Sequence, residues 1–312
     1  MQTILGANGQ IGEELARELK RNFTADIRIV SRNAKKVNDS DTVFSADLSI
    51  REQAIEAVKG SEIAYFTLGL PISADLWEKQ FPVIMRNVID ACKINGTKLV
   101  FFDNTYMYPQ DDRILNELTP FAPVGKKGKV RKAMAEMVLK EIESGALNAV
   151  ICRAPEFYGP GKTQSITNTL VFNNIKTGKK IKVPLSDTKK RSLIWTPDAS
   201  RATALIGNTP DAFRQTWHLP VDQSYPTYNE FIKLAADVYQ KELKHSIMPK
   251  FLFKIGALFN KRIKELLELL PRYEHQNLFD DTKFRNRFPD FEVTTYRQGI
   301  QQIKQEQLSL KK

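Results

Sequence analysis

The stretch "QTILGANGQIGEEL" near the start of the chain constrains the fold more than any other feature. A short apolar run typical of a strand leads into three glycines, and a helix with apolar residues spaced three and four apart follows. In this order Gly6 permits a tight turn, Gly9 lets the backbone approach a diphosphate, and Gly12 lets the helix pack close to the strand. The first N–H groups of the helix can then donate to phosphate oxygens. The motif therefore predicts a dinucleotide-binding loop, which also contains Asn8, Gln10 and Ile11.

Strand-like and helix-like segments alternate through the first half of the chain, and the strand segments are almost entirely apolar. Such a pattern predicts a parallel sheet covered by helices on both faces. The expected fold class is α/β, a doubly wound parallel-sheet Rossmann fold with a smaller mixed C-terminal substrate domain. We expect residues 1–155 and about 190–220 to form the cofactor-binding domain, and about 156–189 and 221–312 the substrate domain. The stretches "SLIWTPDASRATALIGN" and "TWHLPV" are interpreted as a return to the sheet.

The end of the second predicted strand indicates which dinucleotide is bound. Sites that prefer NAD usually place an acidic residue there, on the ribose hydroxyls. This chain reads "VSRN", with Ser31 and Arg32 at the strand end and Lys35 close behind. Because an arginine suits a 2′-phosphate, the sequence predicts NADP as the preferred cofactor, with NAD as the alternative.

Several further segments share the pattern of a known family: "ADL", "FTLG", "FFDNTYMYP", "RAPEFYGPG", "RSLIWTPDASRA" and "FPDFEVTTYRQGI". Together with "GANGQIG", they resemble the extended and atypical short-chain dehydrogenase/reductases, the group that contains nucleotide-sugar epimerases and dehydratases. The resemblance covers most of the chain. It implies an NAD(P)-binding protein with a small-molecule substrate.

The resemblance also implies roles for individual residues. Asp47 and Leu48 would flank the adenine, Leu68 and Gly69 would line the ribose, and Pro155 would approach the nicotinamide. Lys132 matches the lysine that binds the ribose and assists the catalytic tyrosine in that family. Arg191 falls where nucleotide-sugar epimerases hold the diphosphate of the substrate.

Two positions depart from the family pattern. Gly128 stands four residues before Lys132, where the catalytic tyrosine is expected, and Asn104 stands near the place of the assisting serine or threonine. Our hypothesis for the missing acid is Tyr106, with Lys132 or Arg131 favouring its ionisation. The alternative is that Tyr106 packs under the cofactor. Tyr106 and Arg131 are also candidate substrate contacts.

Glu156 is a further candidate for the acid or base, because many relatives carry a substrate-contacting asparagine at its position. Its alternative is an ion pair with a lysine of the basic clusters. Three functions stay open at this stage. They are an NADP-dependent oxidoreductase acting on a carbonyl or hydroxyl substrate, a nucleotide-sugar epimerase or dehydratase, and a non-catalytic protein that senses NADP or binds a partner.

The net charge of +11 is spread over several basic clusters, which favours an anionic substrate. No recognition module accompanies these clusters, so no nucleic-acid partner is expected. The histidines lack metal-ligand spacing, and no metal is expected. No apolar run reaches the roughly 20 residues of a membrane span. The segment "PKFLFKIGALFNKRIKELLELL" is interpreted as a core-facing helix rather than a membrane helix, and no membrane partner is expected.

The opening strand leaves no room for a targeting peptide, so a cytoplasmic protein is expected. The resemblance adds the expectation of a homodimer. Two long helices, "LWEKQFPVIMRNVIDACK" and "KVRKAMAEMVLKEI", form the dimer bundle in many relatives.

Overall fold

The computed structural model describes residues 1–309, and no helix within that range is long and apolar enough to cross a membrane. The strands are β1 (Gln2–Leu5), β2 (Ile27–Ser31), β3 (Thr42–Ser45), β4 (Ile63–Phe66), β5 (Lys98–Asp103), β6 (Ile114–Leu115), β7 (Ala149–Arg153), β8 (Glu156–Tyr158), β9 (Ile181–Pro184), β10 (Leu193–Trp195), β11 (Thr216–His218), β12 (His245–Met248) and β13 (Leu278–Phe279).

The helices are α1 (Gln10–Asn22), α2 (Arg51–Val58), α3 (Ala74–Asn95), α4 (Gly125–Glu143), α5 (Asn173–Thr177), α6 (Thr196–Gly207), α7 (Tyr228–Tyr239), α8 (Lys250–Phe259), α9 (Lys261–Leu266), α10 (Thr282–Arg287) and α11 (Tyr296–Ser309). A π-helical turn precedes α5, and short 3-10 turns precede β11 and β13.

Seven strands form one parallel sheet in the order β11-β7-β5-β4-β1-β2-β3. The chain builds outward from β1 on one side through β2 and β3, and on the other side through β4, β5, β7 and β11. The order therefore reverses at β1, and the loops after β1 and β4 leave the sheet at the switch point where doubly wound folds bind ligands. The predicted doubly wound parallel-sheet Rossmann fold is confirmed.

The helix after β1 shows why its sequence folds as predicted. Its buried residues include Ile11, Leu15 and Leu19, which recur every four positions and cover the sheet, while charged residues occupy the other face. The long helix α3 begins with the Ser73 hydroxyl accepting from the Leu76 N–H, because that hydroxyl satisfies an otherwise unpaired donor.

The described chain divides into two compact units. The first comprises 1–107, 123–154 and 199–219, and it contains the whole seven-stranded sheet. The second comprises 108–122, 155–198 and the chain from Pro220 onward. The segment 108–122 groups with the second unit, whereas the predicted ranges placed it in the cofactor-binding domain, within 1–155. That one domain binds the cofactor and the other binds the substrate stays a prediction.

The second unit is built on three short parallel strand pairs, β8 with β10, β9 with β12 and β6 with β13. Its core includes the rings of Tyr158, Phe231 and Tyr296, whose centroids lie 5.4–5.7 Å apart. The interpretation of "SLIW" as a strand of the main sheet is wrong, because β10 pairs with β8 instead. The "TWH" of β11 does return to that sheet, beside β7.

Candidate functional site

The three glycines after β1 differ in what a side chain would meet. A Cβ on Gly6 would lie 2.4 Å from Leu68 Cα, and Gly6 also has a φ of +91°. A Cβ on Gly12 would lie 2.5 Å from Ala7 Cα. A Cβ on Gly9 would meet only the Gly6 carbonyl oxygen, at an ordinary distance of 3.5 Å. Packing within the chain therefore requires Gly6 and Gly12 to lack side chains, but it does not require this of Gly9.

Gly9 is the N-cap of α1, and it has no side chain with which to cap the helix. The N–H groups of Ile11 and Gly12 lie in the first turn, where no intrahelical carbonyl is available to them. They point outward at the positive end of the helix dipole, which suits a phosphate. Asn8 connects the glycine loop to the segment after β2, because its Nδ2 donates to the Asn33 carbonyl at 2.8 Å.

Polar and basic groups collect where β2 and β3 end. The buried Oγ of Ser31 has no hydrogen-bond partner among the described residues. Arg32 and Lys35 are at the surface, and neither forms an ion pair within residues 1–309. Asp47 accepts hydrogen bonds from the Ser49 hydroxyl at 2.7 Å and from its N–H at 2.9 Å. These bonds lower the pKa of Asp47; the Arg32 charge also lowers it, against an opposing effect of burial.

The loop after β4 lies directly against the glycine loop, through the Leu68 backbone beside Gly6. Gly69 is exposed, and a Cβ there would meet nothing within 4 Å. Leu48 is buried, and its carbonyl accepts from Asn87 Nδ2 of α3 at 3.0 Å. The predicted cofactor residues after β1 and β4 are thus adjacent in space. Pro155, buried and two residues beyond β7, belongs to the second unit.

The backbone leaves no room for a side chain at Gly128, where the resemblance predicted the family tyrosine. A Cβ on Gly128 would lie 2.7 Å from the Tyr106 carbonyl oxygen and 3.0 Å from Pro123 Cβ. Real Cβ atoms essentially never approach backbone oxygen so closely, so no larger residue fits at 128 unless the segment after β5 moves. At Gly128, the position predicted to correspond to the family tyrosine, the Tyr106 carbonyl and Pro123 therefore leave no space for a side chain.

A backbone hydrogen bond and a ring contact both help to hold Tyr106 in place. Its N–H donates to Asn104 Oδ1 at 2.9 Å, which makes the turn after β5. Its ring stacks on Trp77 of α3, with ring centroids 6.2 Å apart and planes inclined by 12°. The side chain is partly exposed. The structure thus places the Tyr106 backbone carbonyl against Gly128, while the Tyr106 ring lies against Trp77.

Arg131 and Lys132, the predicted cations, both have carboxylate partners. Arg131 is buried, its guanidinium pairs with Asp103, and it lies over the ring of Phe81 at 5.5 Å. Lys132 is partly exposed, and its Nζ lies 3.6 Å from Glu136 Oε1 one turn along α4. Each cation therefore has a carboxylate beside it, which is buried for Arg131 and exposed for Lys132.

Asp103 is the centre of a buried network that the sequence interpretation missed. It ends β5 opposite Arg153 in β7, and both Arg153 Nε and Nη2 lie 3.4 Å from Asp103 Oδ2. With Arg131 on Oδ1, one carboxylate holds two arginines at the end of the sheet where the loops emerge. The sequence contained a signal for this pair. The apolar segments "FFD" and "ICR" each end in a charged residue, one acidic and one basic.

Glu156 and Arg191, both predicted substrate residues, bind each other within the second unit. Arg191 donates to Glu156 Oε2 from Nε at 3.0 Å and from Nη2 at 2.8 Å. The Tyr273 hydroxyl donates to the other carboxylate oxygen, and the Arg191 guanidinium lies 4.2 Å from the centre of that ring. Burial would raise the pKa of Glu156, but the charges of Arg191 and Arg272 and these hydrogen bonds outweigh it and lower that pKa.

Glu156 therefore forms an ion pair, which was the alternative left open by the sequence, but its partner is Arg191 rather than the expected lysine. Tyr273 is the member of this buried cluster that the sequence interpretation missed, because it lies more than eighty residues from either partner. Among residues 1–309, no group of three or more His, Cys, Asp or Glu side chains could hold a metal ion.

Comparison with known sequences identifies the family. The sequence model of the NAD dependent epimerase/dehydratase family matches residues 3–219, which include the central sheet except Gln2, the first residue of β1. The chain therefore belongs to the NAD dependent epimerase/dehydratase family. No curated protein matches it.

Solved structures match over almost the whole chain, at low sequence identity. UDP-glucuronic acid 4-epimerase from Bacillus cereus, in complex with NAD, is 12% identical with a TM-score of 0.80, and the match covers 100% of both chains. UDP-glucose 4-epimerase from Thermus thermophilus, in complex with NAD, is 15% identical with a TM-score of 0.77, covering 99% of each chain. dTDP-glucose 4,6-dehydratase from Bacillus anthracis, in complex with NAD, is 13% identical with a TM-score of 0.76, covering 99% of this chain and 96% of that one. At such identities the similarity establishes the fold alone.

Proposed function

We propose that this protein binds a nicotinamide dinucleotide with the diphosphate against the loop from Gly6 to Gly12. The observation that carries the proposal is the open side of Gly9. The packing of the chain would accept a side chain there, and its absence leaves the backbone accessible to a ligand. The uncapped start of α1 beside it supplies N–H donors, and the family to which the chain belongs is named for NAD.

We propose NADP as the preferred form. Arg32 and Lys35 are surface cations without ion-pair partners in the described chain, and the buried Ser31 Oγ lacks a hydrogen-bond partner there. A 2′-phosphate would supply acceptors to all three groups. The solved relatives named above hold NAD, so this preference is a specific departure that binding measurements can test.

The proposed reaction is NADP-dependent reduction of a small, anionic carbonyl compound, or the reverse oxidation. The cofactor, when bound, supplies or accepts the hydride. The chain must then supply one proton to the carbonyl oxygen, and we assign this step to the Tyr106 hydroxyl. Support comes from its backbone position against Gly128 and from its partly exposed ring, fixed by Trp77 and Asn104.

The cation that assists Tyr106 in this proposal is Lys132. It is partly exposed and lies four residues after Gly128 on the same face of α4, and Gly128 lies against the Tyr106 carbonyl. We assign Arg131 a structural part as the partner of Asp103. We assign Arg191 and Glu156 a structural part as well, because their buried charges satisfy each other.

Two other functions are supported by particular observations. Epimerase or dehydratase chemistry on a nucleotide sugar is supported by the family and by the activities of the solved relatives, but its usual tyrosine position is closed at Gly128. The hypothesis of a non-catalytic NADP-binding protein is supported by the same lack of space for a tyrosine at position 128. The three functions differ in whether the cofactor is consumed, stays bound without exchange, or binds without turnover, so an experiment can distinguish them.

The experiment combines calorimetric titration of NADPH and NADH with an assay of NADPH oxidation on a panel of carbonyl compounds. We expect Tyr106→Phe to lower turnover by about 10²–10⁴-fold while NADPH affinity is unchanged. Tyr108→Phe is the matched control, because Tyr108 is buried and its hydroxyl donates to the Asn116 carbonyl at 3.1 Å. Unchanged turnover in Tyr106→Phe would remove Tyr106 from the mechanism.

Binding of NADPH without turnover on any compound would favour the non-catalytic function. Cofactor that remains bound through purification and does not exchange with added NADPH would favour the epimerase class. Failure of both dinucleotides to bind would overturn the whole proposal.

A further inference from the structure

The helix α8 presents an apolar face to solvent. Its five exposed apolar side chains are 45–86% accessible, and they are Phe251, Leu252, Ile255, Leu258 and Phe259. At 100° per residue these positions form one stripe about 120° wide along the helix. The stripe is therefore a continuous surface rather than a scatter of single apolar residues, and monomeric proteins seldom leave such a surface bare.

Only one large apolar side chain anchors α8 to its own unit. Phe253 is 6% exposed and belongs to the core cluster of the second unit, on the side of α8 opposite the stripe. The sequence interpretation of this segment as a core-facing helix is wrong for most of α8, because one phenylalanine faces the core and five apolar residues do not.

The charges around the stripe have one sign. Residues 250–264 carry five basic side chains and no acidic one. The basic residues are Lys250, Lys254, Lys261, Arg262 and Lys264, and all five are exposed. Lys250 pairs with Glu274, whereas the other four form no ion pair within the described chain. The first acids beyond this stretch are Glu265 and Glu268.

We propose that α8 and the start of α9 form a docking surface for an anionic lipid bilayer, with the apolar stripe inserted at the headgroup boundary. An apolar face flanked by lysine and arginine is the composition that binds in this way. The net charge of +11 adds a general attraction to a negative membrane surface.

The charge pattern favours a bilayer over a second copy of this chain. A symmetric dimer through this face would place the same basic stretch on both partners, so their charges would repel at close range. An anionic lipid surface instead complements every one of the unpaired cations. The proposal gives the protein a location at a membrane surface, and it does not depend on the cofactor or on the reaction.

The test is co-sedimentation of the full-length protein with vesicles of phosphatidylglycerol and phosphatidylcholine, compared with phosphatidylcholine alone. We expect binding to the anionic vesicles that weakens as salt rises, because added salt screens the charges. The double variant Leu258→Ser/Phe259→Ser should partition at least about tenfold more weakly. Lys254→Gln/Arg262→Gln should weaken binding at least about fivefold.

Leu118→Ser is the matched control, because Leu118 is 90% exposed in a loop outside α8. It should bind vesicles like the parent protein, and the melting temperature of each variant shows that folding is retained. Light scattering in solution measures the mass of the parent and of Leu258→Ser/Phe259→Ser without lipid.

Three results would each overturn the proposal. The first is no binding of the parent to anionic vesicles. The second is equal binding to neutral and anionic vesicles, or equal binding by the parent and Leu258→Ser/Phe259→Ser. The third is a parent dimer that becomes a monomer in that variant without any vesicle binding, which would assign the face to a second copy.

Discussion

The substitution Gly9→Ala tests the cofactor loop most directly, because the structure separates its effect on folding from its effect on binding. The new methyl group would lie 3.5 Å from the Gly6 carbonyl oxygen, and the backbone at Gly9 (φ −84°, ψ 166°) is one that alanine adopts readily. Alanine is less favourable than glycine at an N-cap by up to about 1 kcal/mol. The reduced freedom of the unfolded chain offsets about 0.4–1 kcal/mol of this. We therefore expect stability to change by less than about 1 kcal/mol.

Binding should change much more. In the proposed complex the diphosphate lies against the Gly9 backbone, and a methyl group there would push it away from the N–H groups of Ile11 and Gly12. Losing one hydrogen bond to a charged group costs about 1.5–3 kcal/mol. We expect NADPH affinity to fall by about 10–100-fold. Calorimetric titration measures this change, and urea denaturation measures stability.

Gly12→Ala provides the contrast. Its Cβ would lie 2.5 Å from Ala7 Cα, where neither backbone can rotate away, so a destabilisation of about 1–3 kcal/mol is expected. Folded Gly9→Ala that binds NADPH as tightly as the parent would refute the assignment of this loop to the diphosphate. Gly9→Ala as unstable as Gly12→Ala would refute the inference that Gly9 is free of packing constraints.

The remaining predictions concern cofactor choice, the closed tyrosine position and the buried cluster. Arg32→Ala should weaken NADPH binding about tenfold or more and leave NADH binding nearly unchanged, since only NADPH carries the 2′-phosphate. Gly128→Tyr should restore no tyrosine-dependent activity and should lower stability by about 1–3 kcal/mol or more, because the Tyr106 carbonyl occupies the space. Arg191→Met should destabilise the fold by about 3–5 kcal/mol by leaving the Glu156 carboxylate buried without its partner. Because the folded-state pKa of Glu156 is lowered, its contribution to stability is complete above its ordinary pKa of 4.5 and is lost as the pH falls below it.

The prediction on cofactor choice has a control, and each of the three predictions has a result that would count against it. Lys59→Ala, in an exposed pair with Glu56 at the end of α2, should leave both cofactors bound as before. Equal losses for NADPH and NADH in Arg32→Ala would contradict the 2′-phosphate assignment. A stable Gly128→Tyr variant with new activity would contradict the inference that position 128 has no space for a side chain. A urea midpoint for Arg191→Met that matches the parent would contradict the stabilising role of the Arg191–Glu156 pair.

Much of the fold was predictable because its signals are local. The apolar spacing of α1 and the glycine series before it lie within a few residues of each other, so the sequence alone predicts β1, the loop and the helix. The alternation of apolar strands and helices then predicts a parallel sheet, which the structure confirms. The family resemblance, supported by the match to residues 3–219, rests on the same kind of short segments.

What only the tertiary structure decided are contacts between residues far apart in the chain. The sequence names three glycines, but only the approach of Leu68 and Ala7 shows that Gly6 and Gly12 are required by packing and Gly9 is not. It shows a glycine at 128, but only the position of the Tyr106 carbonyl shows that a side chain there would have no space.

The pairing of Glu156 with Arg191 joins residues 35 apart, and Tyr273 completes the cluster from 117 residues beyond Glu156. The amphipathic pattern of α8 is visible in sequence, yet which side faces the core depends on Phe253 reaching it. Local patterns specify helices and strands because neighbouring residues share one backbone geometry. The pairing of charges and the exposure of a helix face depend on where the remainder of the chain packs.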